Sequence, residues 1–224
     1  METATFSTWK QDIRMLDQLE RELERPVPHP PVMLELLRHG ETTTNADNLV
    51  TGSLDADLTD RGRRQALAAG DAIRGSFDVA FDSGMARSRL TLRLALGAAG
   101  TVSPPTLSDC RLAERCLGSL EGLPAEPVPA YDRGDLAWAP PGGETYLDVA
   151  ARVLSFLCDV GQVARDAGRP LRVLVCSHMG PMRILAATLG RVSDPTAVLT
   201  ARFPNARLTR LQYEAVAWPA FLRG

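Results

Sequence analysis

Two short apolar runs, each ending at a histidine with a glycine close behind, constrain this chain more than any other feature. Val32–Arg38 (VMLELLR) leads into His39-Gly40, and residues 172–177 (RVLVCS) lead into His178-Met179-Gly180. Neither run alternates polar with apolar residues, so each reads as a strand buried on both faces, as in a parallel sheet. Helical patterns lie between them. Thr59 caps a helix expected to reach about Arg74 with Leu67 and Ile73 inward; 78–82 reads as a short strand and 84–96 as a helix. The longest helix spans 144–167, with Leu147, Ala150, Leu154, Leu157 and Val160 on its buried side, and Gly168 and Pro170 end it. Gly180-Pro181 opens a further helix, and the alternation over 207–214 predicts a last strand. This order predicts an α/β protein: a three-layer α/β/α sandwich with a mostly parallel central sheet.

Ahead of the first strand, Phe6, Trp9, Ile13, Leu16, Leu19 and Leu23 recur at helical spacing, and Pro26, Pro28, Pro30 and Pro31 stop the helix near Arg25. Residues 1–31 thus read as an amphipathic N-terminal helix with a proline-rich hinge, and 32–224 as one catalytic-sized domain. The stripe is expected to fold back on its own domain, with a homodimer contact as the competing use. His29, among the hinge prolines, is expected in solvent.

Composition narrows the function. The 224 residues carry a formal charge of −2, without the basic excess that a generic nucleic-acid binder uses on phosphates. No apolar run reaches the ~18 residues of a membrane span. The first residues lack the basic and apolar stretches of a secretion signal. Cys110, Cys116, Cys158 and Cys176 have no metal or redox spacing, so reduced thiols in a cytoplasmic protein are expected.

Of the three histidines in the chain, His39 and His178 each follow a buried strand. Groups at the carboxyl ends of strands line the ligand crevice of an open α/β sheet, so the two are expected to meet in space. Arg38 adds a planar fork suited to two oxygens of a phosphate, and a turn at Gly40 is expected to bring backbone amides toward a ligand. The 55–57 string (DAD) reads as a turn rather than a metal site, and Gly142-Gly143 as a flexible helix entry. Glu144 is left outside the catalytic set. Trp138 and Tyr131 are open to either core packing or sugar stacking. The segment 119–143, rich in proline and glycine, reads as the loop of substrate contacts.

Over roughly 32–210 the chain resembles the histidine phosphatase superfamily, also called phosphoglycerate-mutase-like. RHGET at 38–42 with Asn45 matches its nucleophile motif, and TGSLDADLTDRG at 51–62 its continuation. DSGMARSRLT (82–91) puts Ser83 and Arg87 in register; LAERCLGSLEG (112–122) supplies an acid at Glu114; PPGGETYLDVAARV (140–153) and CSHMGPMRIL (176–185) complete the order. The resemblance implies a phosphomonoesterase for a small phosphorylated metabolite, a sugar phosphate or phosphoglycerate derivative, with no cofactor and no metal. It implies His39 as nucleophile and Glu114 as proton donor. Arg38, Asn45, Arg87 and His178, with Thr51, Gly52 and Met179, are implied around the phosphate. Several positions depart from the mutase pattern. Met179 stands where glycine is usual, Ser53 replaces a tryptophan, and Cys116-Leu117 replaces a His/Trp-Tyr pair. Arg133 is the one cation in 119–143. These departures favour hydrolysis over mutase activity. A mutase, and a non-catalytic regulatory module, are the alternatives.

Overall fold

The computed structural model describes residues 13–222. Five strands form one sheet: β1 (Val32–Arg38), β2 (Val79–Asp82), β3 (Thr106–Ser108), β4 (Leu171–Ser177) and β5 (Leu208–Tyr213), in the order β3-β2-β4-β1-β5. β1 pairs parallel with β4, β4 with β2, and β2 with β3, while β5 lies antiparallel on β1. The sheet is therefore mostly parallel, as the two apolar runs predict. Eight helices accompany it among the described residues: α1 (Ile13–Leu23), α2 (Thr43–Ala46), α3 (Asp60–Gly70), α4 (Ala86–Ala99), α5 (Pro129–Asp132), α6 (Tyr146–Ala167), α7 (Met179–Leu189) and α8 (Pro195–Thr200).

Helices cover both faces of the sheet, which explains why β1 and β4 do not alternate. Leu34, Leu36, Val173 and Val175 belong to one core with α6 and α7, whereas Leu37, Leu174 and Cys176 belong to a second with α3 and α4. The lone acid in β1, Glu35, is buried and held by Arg172 on β4 at 2.7 Å and Arg210 on β5 at 3.1 Å. Burying that charge is tolerable because both carboxylate oxygens are paired.

Several expectations need correction. α3 ends at Gly70, and Leu67 is 46% exposed. The buried side of α3 is made of Gly62, Ala66, Ala69 and Gly70. A Cβ at Gly70 would come within 2.7 Å of the Ala95 carbonyl of α4, so small residues let two helices approach where a leucine would hold them apart. α6 starts at Tyr146, because Thr145 and Asp148 close a capping box ahead of it. Leu147 is only half-buried.

His29 is buried, contrary to expectation. Its Nδ1 lies 2.8 Å from the Pro30 carbonyl, its ring meets Tyr213 edge-on at 5.0 Å, and Gly161 on α6 leaves the notch it occupies. Leu19 and Leu23 of α1 join the α6 core, and the Trp218 amide donates to the Leu23 carbonyl at 3.3 Å. That end of the stripe folds back on its own chain. Phe6 and Trp9, and the side chains of Ile13 and Leu16, lie outside the described residues.

Candidate active site at the carboxyl end of the sheet

Adjacent parallel strands bring the two histidines together. Arg38 pairs in register with Ser177, and the His39 amide donates to the Ser177 carbonyl at 3.0 Å. The next residues on each strand therefore lie side by side, with imidazole centroids 5.0 Å apart and planes tilted by 48°. His39 Nδ1 stands 2.8 Å from the Gly40 carbonyl. A carbonyl only accepts, so Nδ1 carries the proton and Nε2 keeps its lone pair. Burial, and then the Arg38 and Arg87 charges, hold His39 well below the ordinary histidine range. It is a neutral imidazole near pH 7, with a free nitrogen beside two guanidinium groups.

His178, fully buried, has its tautomer set from both sides. Arg87 Nε donates to its Nδ1 at 3.3 Å, so its Nε2–H donates to Ser83 Oγ at 2.6 Å. Ser83 Oγ lies 2.6 Å from Ser88 Oγ, which in turn donates to the Met85 carbonyl at 3.0 Å. Burial, and next the Arg87 charge, depress His178 well below its usual value.

Arg87 comes from the first turn of α4 and is 1% exposed. Its Nη1 and Nη2 donate to the Leu54 and Gly52 carbonyls at 2.6 and 2.7 Å. Gly52 therefore acts here by holding Arg87, and it takes a positive φ of 51° over the Glu121 carboxylate. Thr51 Oγ1 is 2.6 Å from Thr44 Oγ1. Arg38 donates from Nη1 to the Phe203 carbonyl at 2.7 Å, and its buried Nε–H has no partner among the described residues. Burial lowers both arginines from their ordinary value, with the Glu114 charge acting against it. A desolvated cation with an idle donor is what a bound anion would satisfy. Asn45 Oδ1 accepts from the Thr42 amide at 3.3 Å and from Asn205 Nδ2 at 3.4 Å, leaving its own amide hydrogens as donors.

Glu114 is anchored at the start of α7. Its Oε1 accepts from the amides of Arg115 at 2.8 Å and Gly180 at 2.9 Å, and its Oε2 from Met179 at 3.1 Å. Met179 thus enters through its backbone. The Gly40 amide is turned away from any ligand and donates to Thr91 Oγ1 at 2.9 Å. Gly40 is needed for another reason, since a Cβ there would stand 2.5 Å from the Gly62 carbonyl of α3.

Tyr131 and Trp138 pack around Arg115, which is 1% exposed. The guanidinium lies 4.5, 5.3 and 5.9 Å from the rings of Tyr146, Trp138 and Tyr131, and donates to the Tyr131 hydroxyl and the Trp138 carbonyl at 2.7 Å each. Glu144 pairs with Arg152 at 3.1 Å and accepts from the Cys116 amide at 2.8 Å, so it braces the turn carrying Glu114. Two supporting residues are given no role by the sequence reading, although Glu121 falls within the 112–122 motif. Asn205 donates to the His39 carbonyl at 2.9 Å, and Glu121 accepts from the Ser53 and Leu117 amides at 2.8 Å each.

An α/β sandwich with two neutral imidazoles and two converging guanidinium groups at one sheet end is the layout of an enzyme for an anionic substrate. The chain belongs to the histidine phosphatase superfamily (branch 1), whose model matches residues 34–221. A 2,3-bisphosphoglycerate-dependent phosphoglycerate mutase of Beijerinckia indica subsp. indica is 36% identical over 177 residues, covering 73% of this chain and 84% of that protein. The mycobacterial glucosyl-3-phosphoglycerate phosphatase, solved with VO3, superposes with a TM-score of 0.67 at 30% identity, over 80% of this chain and 90% of its own. The phosphoglycerate mutase from Bacillus anthracis str. Sterne shares the fold, with a TM-score of 0.69 at 20% identity over 84% and 90% of the two chains.

Proposed function

We propose that this chain hydrolyses phosphomonoesters of a small metabolite through a phosphohistidine on His39, without a metal ion. The observation that carries the reading is the neutral, buried His39 with its Nε2 lone pair free beside Arg38 and Arg87. Nε2 attacks phosphorus, the bond to the ester oxygen breaks, and its electron pair leaves on that oxygen. Glu114 supplies the proton that makes the leaving group an alcohol. Water then attacks the phosphohistidine, Glu114 takes its proton, and the P–N electron pair returns to His39. Arg38, Arg87 and Asn45 hold the equatorial oxygens. His178, whose ring nitrogens are taken up by Arg87 and Ser83, steadies the Arg87 guanidinium among them. The guanidinium charges supply the neutralisation on which phosphoryl transfer depends.

Hydrolysis is favoured over mutase action by Ser53, by Cys116-Leu117, and by a 119–143 loop whose only cation is Arg133. The mutase reading draws on the 36% identical relative and on the retained Glu114-Arg115 and Thr51-Gly52. The protein is expected to turn over p-nitrophenyl phosphate in excess chelator. His39→Ala is expected to lower that rate by about 10⁴-fold or more. Chelator-sensitive turnover that survives in His39→Ala would overturn the proposal. Supplying 3-phosphoglycerate with 2,3-bisphosphoglycerate separates the two readings: hydrolysis gives inorganic phosphate, and 2-phosphoglycerate would mark a mutase.

A further inference from the structure

A cavity of about 440 Å³ lies beside the turn that carries Glu114, walled by Val50, Leu117, Leu120, Leu123, Tyr131 and Trp138 together with three prolines. Its volume falls in the range of sites that enclose small organic ligands. Three connections tie it to the phosphate-binding groups. Val50 directly precedes Thr51-Gly52, and the Gly52 carbonyl holds Arg87. Leu117, three residues past Glu114, is held by the same Glu121 carboxylate that accepts from Ser53. The Tyr131 hydroxyl and the Trp138 carbonyl are held by Arg115, the neighbour of Glu114. The cavity walls and the reacting groups therefore share one hydrogen-bonded frame.

In-line transfer fixes which part of a substrate meets this cavity. The attacking nitrogen and the leaving oxygen sit on opposite sides of phosphorus. The acid lies beside the leaving oxygen, so the rest of the substrate extends past Glu114, away from His39. Glu126 is the only charged residue among the described cavity walls, and no cation joins it. A second phosphate or a carboxylate would find no partner there and one repelling charge, whereas apolar surface would leave water for apolar surface.

We infer that the cavity receives the alcohol portion of the substrate and that this portion is uncharged and apolar, an alkyl or aryl group. This rests on the hydrolase reading and shifts its substrate away from sugars and glycerate.

A series of n-alkyl phosphates from ethyl to hexyl tests it, because the leaving alkoxides are of similar basicity. The specificity constant is expected to rise about threefold per methylene until the cavity is full, mainly through KM. Hexyl phosphate is expected to exceed glycerol 3-phosphate and 3-phosphoglycerate by at least about tenfold. Leu123→Glu, at a residue already 50% exposed, and Leu120→Gln are each expected to flatten the series. A flat series in the wild type, a slope untouched by both variants, or a preference for 3-phosphoglycerate would overturn the inference. If no His39-dependent turnover exists, the hydrolase reading fails, and calorimetry on His39→Ala then reads the cavity alone. Hexyl phosphate binding more tightly than ethyl phosphate, with the gap lost in Leu123→Glu, sustains the cavity's role; equal affinities overturn it. A dimer in solution that Leu123→Glu splits would assign the surface to a second copy and also overturn it.

Discussion

His39 is set by a bond from Nδ1 to a backbone carbonyl and His178 by bonds at both ring nitrogens, and of these the bond to Ser83 is open to a single substitution. Ser83→Ala removes the acceptor for the buried His178 Nε2–H and frees the imidazole to change tautomer. Leaving a buried donor unsatisfied costs about 1–3 kcal/mol. Urea unfolding is expected to show a loss of that size, and kcat/KM for p-nitrophenyl phosphate is expected to fall by about tenfold. Wild-type values for both would show that Arg87 alone fixes His178. At this scale the sequence was legible where a residue both ends a strand and carries reactive chemistry, as His39, His178 and Arg38 do. It was not legible where the backbone does the work. Met179 contributes an amide, Gly52 a carbonyl, and Gly40 only its lack of a side chain. Asn205 reaches the site from an irregular segment whose position depends on how β5 lies against β1.

Elements position Glu114, the proposed acid. The first turn of α7 presents the amides of Met179 and Gly180 to Glu114, where the positive end of a helix favours an anion. Gly180→Ala tests this arrangement cleanly. Alanine suits a helix better than glycine, but its Cβ would stand 2.6 Å from Glu114 Oε1. The carboxylate would have to leave the helix end. Turnover of alkyl phosphates, whose alkoxides need a proton, is expected to fall by about 10²-fold. Turnover of p-nitrophenyl phosphate is expected to fall far less, because p-nitrophenolate leaves unaided. Equal losses on both substrates would remove Glu114 from the acid role. The same scale shows why some elements are harder to read than others. β1, β4 and α6 are long and bury large apolar residues, so their pattern is unambiguous. β3 is three exposed residues that pair only with β2 and escapes the reading, whereas α3 is announced by its Thr59 cap but buries glycine and alanine, so its inward face and its end are not legible.

For the whole molecule, the same burial that keeps His39 and His178 neutral ties folding stability to pH. In the unfolded chain both imidazoles titrate at about 6.5. In the folded chain burial, followed by the arginine charges around them, holds both well below that. Between the two values the unfolded state binds more protons, so stability must fall as pH falls through about 6.5 and stay level above it. Each histidine contributes up to about 1.4 kcal/mol per pH unit in that window, so moving from pH 7.5 to 5.5 is expected to cost roughly 2.5 kcal/mol. Carboxylates held low in the fold, such as Asp78 with Arg169 at 2.7 Å, lose their contribution only at more acid pH. Urea midpoints at the two pH values measure the effect. The double substitution His39→Gln, His178→Gln is expected to flatten most of it, because glutamine fills similar space without binding a proton. Orthovanadate is expected to raise stability at both pH values in the wild type, since an anion partners guanidinium groups that the empty fold buries at a cost. Identical midpoints at pH 5.5 and 7.5 would mean that the fold does not, on balance, hold its two imidazoles neutral, and a His39 that takes up a proton as readily as in the unfolded chain has no lone pair at pH 5.5 with which to attack phosphorus.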